Sequence, residues 1–211
     1  MLYLYYFFRS AFSRGLLNTL RLLNMEMQGE KHYGIHTSAI KKSGSAEFHH
    51  YQGASYLVLQ KLFAGLPDPV KSFDFVDIGC GKGRVLFVAE RAGFDRLSGI
   101  ELDPELLAVA RENESRYAFK RPNSSIQLIH ANALEHAYKD QPTVYFLFNP
   151  FNEAVLRDVL KKIRESTRSE TWFIYMNPLF PAPFAEQRSE LVREVKTWRY
   201  REAMIYRWPA P

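Results

Sequence analysis

Short apolar runs alternate with longer segments of helical periodicity through most of the chain. Consecutive apolar residues predict buried strands, and apolar residues at spacings of three and four predict helices. The predicted strands are 73–78, 96–100, 126–130, 144–148 and 172–176, and the predicted helices between them are 84–93, 104–117 and 152–165. Strands that alternate with helices indicate an α/β fold, with a parallel sheet covered by helices on both faces.

The last two apolar segments depart from this alternation. Residues 191–200 and 203–208 are both strand-like, and almost no chain lies between them. A connection this short permits only an antiparallel pair. We therefore predict a mixed sheet that is mostly parallel, with one reversed strand near its edge.

The first fifty residues differ from the rest. Residues 1–24 predict a helix, which we expect to pack on the main body or on a second subunit; the alternative is a helix lying on a membrane surface. Residues 28–50, rich in glycine, serine and threonine, predict a loop, and 51–66 predict a helix that ends before Pro67. The expected organisation is an N-terminal helix and loop over 1–50 and one main domain over 51–211.

Composition narrows the class of protein. The chain is 46% hydrophobic and 24% charged, which favours a packed core over disorder. The net charge of +5 comes from the two ends, and no dense cationic run typical of a nucleic-acid-binding tail is present. No apolar run is long enough to span a membrane, and the apolar start lacks a signal-peptide pattern. We expect a cytoplasmic protein.

Cysteine and histidine content argues against metal and disulfide sites. Cys80 is the single cysteine, which excludes an internal disulfide and a multi-cysteine zinc site. His32 and His36 are four residues apart, but no third ligand follows them. We predict no metal site.

Three alternating glycines follow the first strand of the main domain. Gly79, Gly81 and Gly83 allow positive φ angles and close approach of the backbone to a ligand. Asp77 precedes them and suits a ligand that carries a cation, and Glu101 ends the next strand, where a carboxylate can accept from ribose hydroxyls.

Two common nucleotide motifs do not fit this loop. The dinucleotide motif requires a third glycine where this chain has Arg84. The NTPase phosphate loop requires Gly-Lys-Ser/Thr, which is also absent. The pattern therefore favours a nucleoside ligand with a positive charge over a pyrophosphate.

The segment from Phe75 to Arg84, together with Gly99 to Asp103, resembles the first two motifs of the class I S-adenosylmethionine-dependent methyltransferases. The resemblance covers roughly residues 51–208. It implies a Rossmann-like, seven-stranded, mostly parallel sheet with an antiparallel C-terminal hairpin, and S-adenosyl-L-methionine as the cofactor. The cofactor-binding residues that it implies are Tyr51, Asp77, Gly79, Cys80, Gly81, Gly83, Glu101, Leu102, Asn132, Ala133 and Asn149.

The resemblance also implies roles for these residues. The glycines wrap the amino-acid part of the cofactor, Asp77 lies beside its amino group, and Glu101 holds the ribose. Asn132 occupies the slot near the adenine amine, although a turn residue is the alternative. Tyr51 belongs to a segment that the family lays over the methionine end, with simple helix packing as the alternative, and Cys80 is a small filler between glycines.

Asn149, Pro150 and Phe151 follow another buried strand, at the edge of the sheet where α/β proteins bind ligands. They resemble the Asn/Asp-Pro-Pro-Tyr/Phe motif of amino-group methyltransferases, with one proline instead of two. The resemblance implies that these three residues are catalytic, because the asparagine oxygen and a proline carbonyl accept from the target nitrogen and the aromatic ring packs on the substrate. Turn initiation by Asn149 is the alternative, and we also interpret Asn177, before Pro178, as a turn residue.

The predicted function is methyl transfer from S-adenosylmethionine to a nitrogen, with a protein lysine or other protein amine favoured as acceptor. An RNA or DNA base and a small-molecule amine are alternatives. A noncatalytic, cofactor-binding scaffold subunit is the alternative of a different class.

Overall fold

The computed structural model describes residues 2–38 and 53–211, and one seven-stranded sheet forms the centre of that part of the chain. Its strands are β1 (Asp74–Ile78), β2 (Arg96–Glu101), β3 (Ser125–His130), β4 (Thr143–Phe148), β5 (Thr171–Met176), β6 (Glu190–Thr197) and β7 (Tyr200–Trp208). They lie in the order β3-β2-β1-β4-β5-β7-β6. Strands β1 to β5 are parallel to one another, whereas β7 is antiparallel to both β5 and β6. The predicted mixed sheet with one reversed strand near its edge is confirmed.

Helices connect the strands as the alternation predicts. The helices are α1 (Leu2–Arg14), α2 (Leu16–Tyr33), α3 (Tyr56–Ala64), α4 (Arg84–Arg91), α5 (Pro104–Arg116), α6 (Glu153–Ser166) and α7 (Ala182–Glu186), and a 3₁₀ turn covers Asp68–Ser72. The predicted crossover helices correspond to α4, α5 and α6. The short helix α7 and the 3₁₀ turn were not predicted, because neither is long enough to show a periodic apolar pattern.

The prediction of one helix over 1–24 is wrong. Gly15 has a φ of +86° and separates α1 from α2. The chain bends there so sharply that the hydroxyls of Ser10 and Thr19 are 3.0 Å apart, whereas residues nine apart in a straight helix are separated by about 13 Å. The bend brings α1 back against α2.

The loop predicted over 28–50 is also wrong at its start, because α2 continues to Tyr33. Gly29 falls within this predicted loop, but it lies on the buried face of α2. A Cβ added to Gly29 would lie 2.3 Å from the ring of Tyr56, so glycine allows α2 to pack directly on that ring. Residues 39–50 of the predicted loop lie outside the described residues.

The two faces of the sheet carry separate hydrophobic clusters. Phe75 and Phe146 belong to the cluster under α3 and α4, and Tyr145 and Phe173 belong to the cluster under α6. Successive residues of a strand point to opposite faces, so β4 contributes to both clusters. None of the described helices is both long and apolar enough to cross a bilayer.

Candidate functional site

The glycine loop joins β1 to α4 in a conformation that requires glycine. Gly79, Gly81 and Gly83 have φ angles of +80°, +53° and +85°, which L-residues rarely adopt. The amides of Gly79 and Cys80 donate to the carbonyl of Ile100 at 2.8 and 3.0 Å, which fixes the loop to the end of β2. The loop therefore presents bare backbone at the carboxyl edge of the sheet.

Asp77 supplies a buried carboxyl group directly before the loop. Asp77 is only 2% exposed, and its Oδ2 accepts no hydrogen bond within the described part of the chain. Burial, and then the charge of Glu101, raise the pKa of Asp77 well above its usual value. A buried acceptor without a partner is costly, and a cationic group placed beside it would remove that cost.

Glu101 connects the end of β2 to the middle of the glycine loop. Its Oε2 accepts from the Gly81 amide at 2.7 Å, and its Oε1 accepts from the Asp103 amide at 2.9 Å. Burial raises the pKa of Glu101, and the backbone donors partly oppose that rise. Each carboxylate oxygen keeps acceptor capacity for a further donor such as a ribose hydroxyl. Leu102 follows with its side chain 43% exposed at the same edge.

Asn132 forms a turn after β3. Its Oδ1 accepts from the amide of Leu134 at 3.0 Å, and its carbonyl accepts from Glu135 and His136, both at 2.9 Å. Ala133 is buried next to it, and its carbonyl accepts from the hydroxyl of Tyr138 at 2.9 Å. The turn role of Asn132 is thus observed, and a contact with adenine stays a prediction.

Asn149 ends β4 with a φ of +44° and is 5% exposed. Its Oδ1 accepts from the hydroxyl of Tyr175 at 2.8 Å, and that hydroxyl accepts from the Phe180 amide at 3.3 Å. Burial raises the pKa of Tyr175 to about 12, so the phenol stays protonated and keeps its role as donor. Tyr175 was not predicted, since the sequence shows only a tyrosine in a buried strand.

Pro150 brings the end of β4 against the glycine loop. A Cβ built on Gly79 would lie 2.9 Å from Cβ of Pro150, so the proline side chain packs directly on the glycine, with no room for a larger residue at position 79. Phe151, in contrast, is 5% exposed and belongs to the hydrophobic cluster under α6. The structure therefore places Asn149 and Pro150 at the loop, and the ring of Phe151 within the core.

Asn177 repeats the geometry of Asn149 one strand further along the sheet. It follows β5 with a φ of +49°, and its Oδ1 accepts from the hydroxyl of Tyr200 at 2.6 Å. Its amide donates to the carbonyl of Glu202 at 2.8 Å. These bonds agree with a turn role, and no such close contact with the glycine loop is found for this residue within the described part of the chain.

Arg84 was considered only as a residue that replaces a glycine, but the structure gives it a different role. It is 3% exposed and donates to Glu26 and Glu30 of α2 at 2.5 and 2.9 Å. It also donates to the hydroxyl of Thr37 at 2.6 Å and to the carbonyl of Ala54 at 2.7 Å. The first residue of α4 thereby holds the N-terminal extension against the loop. The spacing of the two glutamates, one helical turn apart, is the sequence signal that could have indicated this.

The remaining predicted residues have simpler outcomes. Cys80 is buried, and a Cβ added to Gly99 would lie 2.7 Å from its Sγ. The thiol therefore fills space that is free only because residue 99 is glycine, which agrees with the predicted packing role. Burial raises the pKa of the Cys80 thiol well above its usual value. Tyr51 lies outside the described residues. Across residues 2–38 and 53–211, no three His, Cys, Asp or Glu side chains are grouped so that they could hold a metal ion.

Comparison with known proteins shows what this part of the chain is similar to. The sequence profile of a methyltransferase domain matches residues 75–170, which include Asp77, the glycine loop and Asn149. No curated protein sequence matches the chain.

Solved structures share the fold at low sequence identity. A putative methyltransferase from Escherichia coli, yhhF, has a TM-score of 0.58 at 19% identity, over 74% of this chain and 89% of that one. Magnesium protoporphyrin IX methyltransferase from Synechocystis PCC 6803, with bound S-adenosylmethionine, has a TM-score of 0.54 at 11% identity, over 72% and 77%. An RNA methyltransferase from Salinibacter ruber, in complex with S-adenosyl-L-homocysteine, has a TM-score of 0.52 at 19% identity, over 75% and 94%.

The described residues suit such a cofactor. Asp77 offers an unpartnered carboxyl oxygen to an amino group, the glycine loop leaves room for the amino-acid part, and Glu101 retains acceptor capacity for the ribose. The chain therefore has the fold of the class I S-adenosylmethionine-dependent methyltransferases, and its residues 75–170 match the sequence profile of a methyltransferase domain.

Proposed function

We propose that the protein methylates a nitrogen atom, and that Asn149 and Pro150 position that nitrogen. The observation that carries this proposal is the contact between Pro150 and Gly79, which sets the end of β4 against the loop expected to hold the cofactor. When bound, S-adenosylmethionine supplies a methyl group activated on a sulfonium. A hydrogen-bond acceptor beside that group is suited to an N–H donor.

The cofactor end of the site rests on three groups. The ammonium of the cofactor is paired with Asp77, whose Oδ2 is otherwise without a partner among the described residues. The ribose hydroxyls are held by Glu101, whose position is fixed by the amides of Gly81 and Asp103. Leu102, Asn132 and Ala133 border the adenine. These contacts orient the cofactor from both of its ends.

The acceptor end rests on the side-chain amide of Asn149. Tyr175 donates to Oδ1 and fixes the amide plane, and the oxygen keeps a second lone pair for an N–H of the acceptor. The carbonyl of Pro150 is a second acceptor for the same nitrogen. Methyl transfer is an in-line displacement, so holding the nitrogen lone pair toward the methyl carbon supplies much of the rate.

We favour a protein amine as the acceptor. An RNA base is the second candidate: the net charge of +5 suits an acidic partner, and one structure that shares the fold is an RNA methyltransferase. Incubating a cell extract with the purified protein and radiolabelled S-adenosylmethionine, followed by separation of protein, RNA and small molecules, distinguishes the two. Label in protein supports our choice, and label confined to RNA or to metabolites contradicts it.

The role of Asn149 is tested by substitution with a matched control. We expect Asn149→Ala to lower turnover by about a hundredfold, by analogy with the loss of one preorganised hydrogen-bonding group in other active sites. Affinity for S-adenosylhomocysteine, measured by calorimetry, should stay within about twofold, because the loop and Asp77 are untouched. Asn177→Ala is the control, since it removes the same type of strained asparagine and the same tyrosine contact one strand away. Full turnover in Asn149→Ala would show that the residue only forms a turn.

A further inference from the structure

Exposed apolar side chains are concentrated on the two N-terminal helices. Of the twelve large apolar side chains that are exposed in the described chain, seven lie on α1 and α2. They are Phe8, Phe12, Leu16, Leu17, Leu20, Leu23 and Met27, which we call the α1–α2 apolar surface. Scattered exposed leucines are common in proteins, but a cluster within twenty residues marks an interaction site.

This surface is not the one that packs α2 on the domain. The buried positions of α2 are Thr19, Gly29 and Tyr33, and the same side of the helix carries the glutamates bound to Arg84. Leu16, Leu20, Leu23 and Met27 recur at spacings of four, three and four and form a separate stripe. Docking of α2 on the domain therefore leaves the stripe uncovered by any described residue.

The charged residues that α1 and the first ten residues of α2 carry have one sign. Arg9, Arg14 and Arg21 lie within the first 25 residues, and the first acidic residue of the chain is Glu26. Arg14 is paired with Glu202 at 2.7 Å. Arg9 and Arg21 are exposed and form no ion pair with any residue in 2–38 or 53–211. An apolar surface flanked by arginines complements a surface of anionic headgroups over an apolar interior.

A tryptophan extends the same surface. Trp198, in the turn between β6 and β7, is 62% exposed and lies against the bend at Gly15, where an added Cβ would be 2.7 Å from its ring. The guanidinium of Arg199 lies 5.7 Å from the centre of that ring. Tryptophan beside arginine is typical of the boundary between lipid headgroups and acyl chains.

We propose that the α1–α2 apolar surface, with Trp198, docks the protein on an anionic lipid bilayer without crossing it. A second copy of the chain is the other conceivable occupant, because the leucine stripe also has the spacing of a helix-pairing seam. Charge favours the bilayer, because a second copy offers Arg9 and Arg21 no acidic residue from its own first 25 residues. Lipid phosphates offset those charges.

The test uses the full chain and two kinds of vesicle, phosphatidylcholine alone and phosphatidylcholine with phosphatidylglycerol. We expect co-sedimentation with the anionic vesicles to be at least about tenfold stronger, and to weaken as salt is raised. Trp198 provides a direct signal, since Trp172 and Trp208 are buried at 6% and 1% exposure. Its fluorescence should shift to shorter wavelength with anionic vesicles, and Trp198→Phe should remove the shift.

Two double variants identify the surface. Leu20→Glu with Leu23→Glu replaces side chains that are 48% and 47% exposed, and we expect it to reduce vesicle binding about tenfold or more. Leu191→Glu with Val192→Glu replaces side chains that are 50% and 43% exposed on the edge strand β6, and it should bind as the parent does. Equal binding by both variants, or no binding by the parent, overturns the proposal. A parent dimer in light scattering that Leu20→Glu with Leu23→Glu converts to a monomer, without vesicle binding, assigns the surface to a second copy instead.

Discussion

At the scale of single residues, Asp77 has a buried carboxyl oxygen without a hydrogen-bond partner among the described residues. A buried acceptor without a hydrogen bond costs about 1–3 kcal/mol. Nothing among the described residues offsets this cost for Oδ2. A residue that destabilises the free protein in this way is explained if a ligand supplies the missing partner.

The stability of the free protein should therefore improve when Asp77 is replaced by asparagine. The pKa of Asp77 is raised in the folded state, so the folded protein binds this proton more tightly than the unfolded chain does. Its contribution to the free energy of unfolding consequently falls as pH rises from the ordinary carboxyl pKa to the raised one. We expect Asp77→Asn to raise the free energy of unfolding at neutral pH by about 1–3 kcal/mol and to remove this part of the pH dependence. Urea titrations at several pH values measure both.

The change that stabilises the free protein, Asp77→Asn, should weaken the binding of S-adenosylhomocysteine. The ammonium of this ligand pairs with the charged carboxylate, so the affinity of the parent should rise with pH through the raised pKa of Asp77. The Asp77→Asn variant should bind S-adenosylhomocysteine about ten- to a hundredfold more weakly than the parent. Its affinity, measured by calorimetry, should lack the rise with pH that the titration of Asp77 causes in the parent. Unchanged affinity in this variant would place the ammonium elsewhere.

At the scale of secondary-structure elements, Arg84 decides how α2 is attached. Its guanidinium lies 4.3 Å from the centre of the Tyr56 ring. It donates hydrogen bonds to Glu26 in α2, to Thr37 after α2 and to the carbonyl of Ala54 before α3. Glu26 and Glu30 retain 30% and 18% side-chain exposure, so solvent screens part of the interaction. The side chain of Arg84 is only 3% exposed, so its charge depends on these partners for stabilisation.

We expect Arg84→Met to lower the free energy of unfolding by about 3 kcal/mol, the lower end for breaking a buried ion pair, because the glutamates stay partly hydrated. Arg157→Met is the matched control. Arg157 pairs with Glu186 at 2.7 Å, but both side chains are about 40% exposed, at 40% and 44%. The control should lose much less stability than Arg84→Met, because solvent screens an exposed ion pair. Similar losses in both variants, measured by urea unfolding, would mean that α2 is not anchored through Arg84.

At the scale of the whole molecule, the extension and the sheet share one core. Tyr33 of α2 belongs to the cluster that also contains Phe75 of β1 and Phe146 of β4. Tyr33 stacks on Tyr56, with the ring centres 5.4 Å apart. Helix α2, which lies within the predicted extension, therefore packs on the predicted main domain through Tyr33.

Because the extension and the sheet share one core, we expect a single thermal unfolding transition. S-adenosylhomocysteine should raise the midpoint temperature of that transition. S-adenosylhomocysteine at about a hundred times its dissociation constant adds about 2.7 kcal/mol, which corresponds to roughly 5–10 °C for a chain of this length. Differential scanning calorimetry measures the number of transitions and the shift. Two separated transitions would show that α1 and α2 unfold independently.

The sequence predicted the sheet better than it predicted the extension, for physical reasons. Buried parallel strands such as β4 are continuous apolar runs, and glycines with positive φ mark the loop after β1, so both are visible locally. The bend at Gly15 and the helical course through Gly29 depend on Trp198 and Tyr56, which are distant in sequence. The partner of Asn149 was missed for the same reason, since Tyr175 meets it only because β4 and β5 are neighbours.

The guanidinium that follows the glycine loop has a thermodynamic consequence. Because Arg84 binds Glu26 and Glu30 on one side and begins α4 on the other, the loop and α2 cannot shift independently. A ligand that binds the loop and stabilises it should also stabilise the docking of α2. Stabilising the docking of α2 should raise the affinity for that ligand by the same coupling free energy. Docking of α2 and ligand binding at the glycine loop are thus thermodynamically linked.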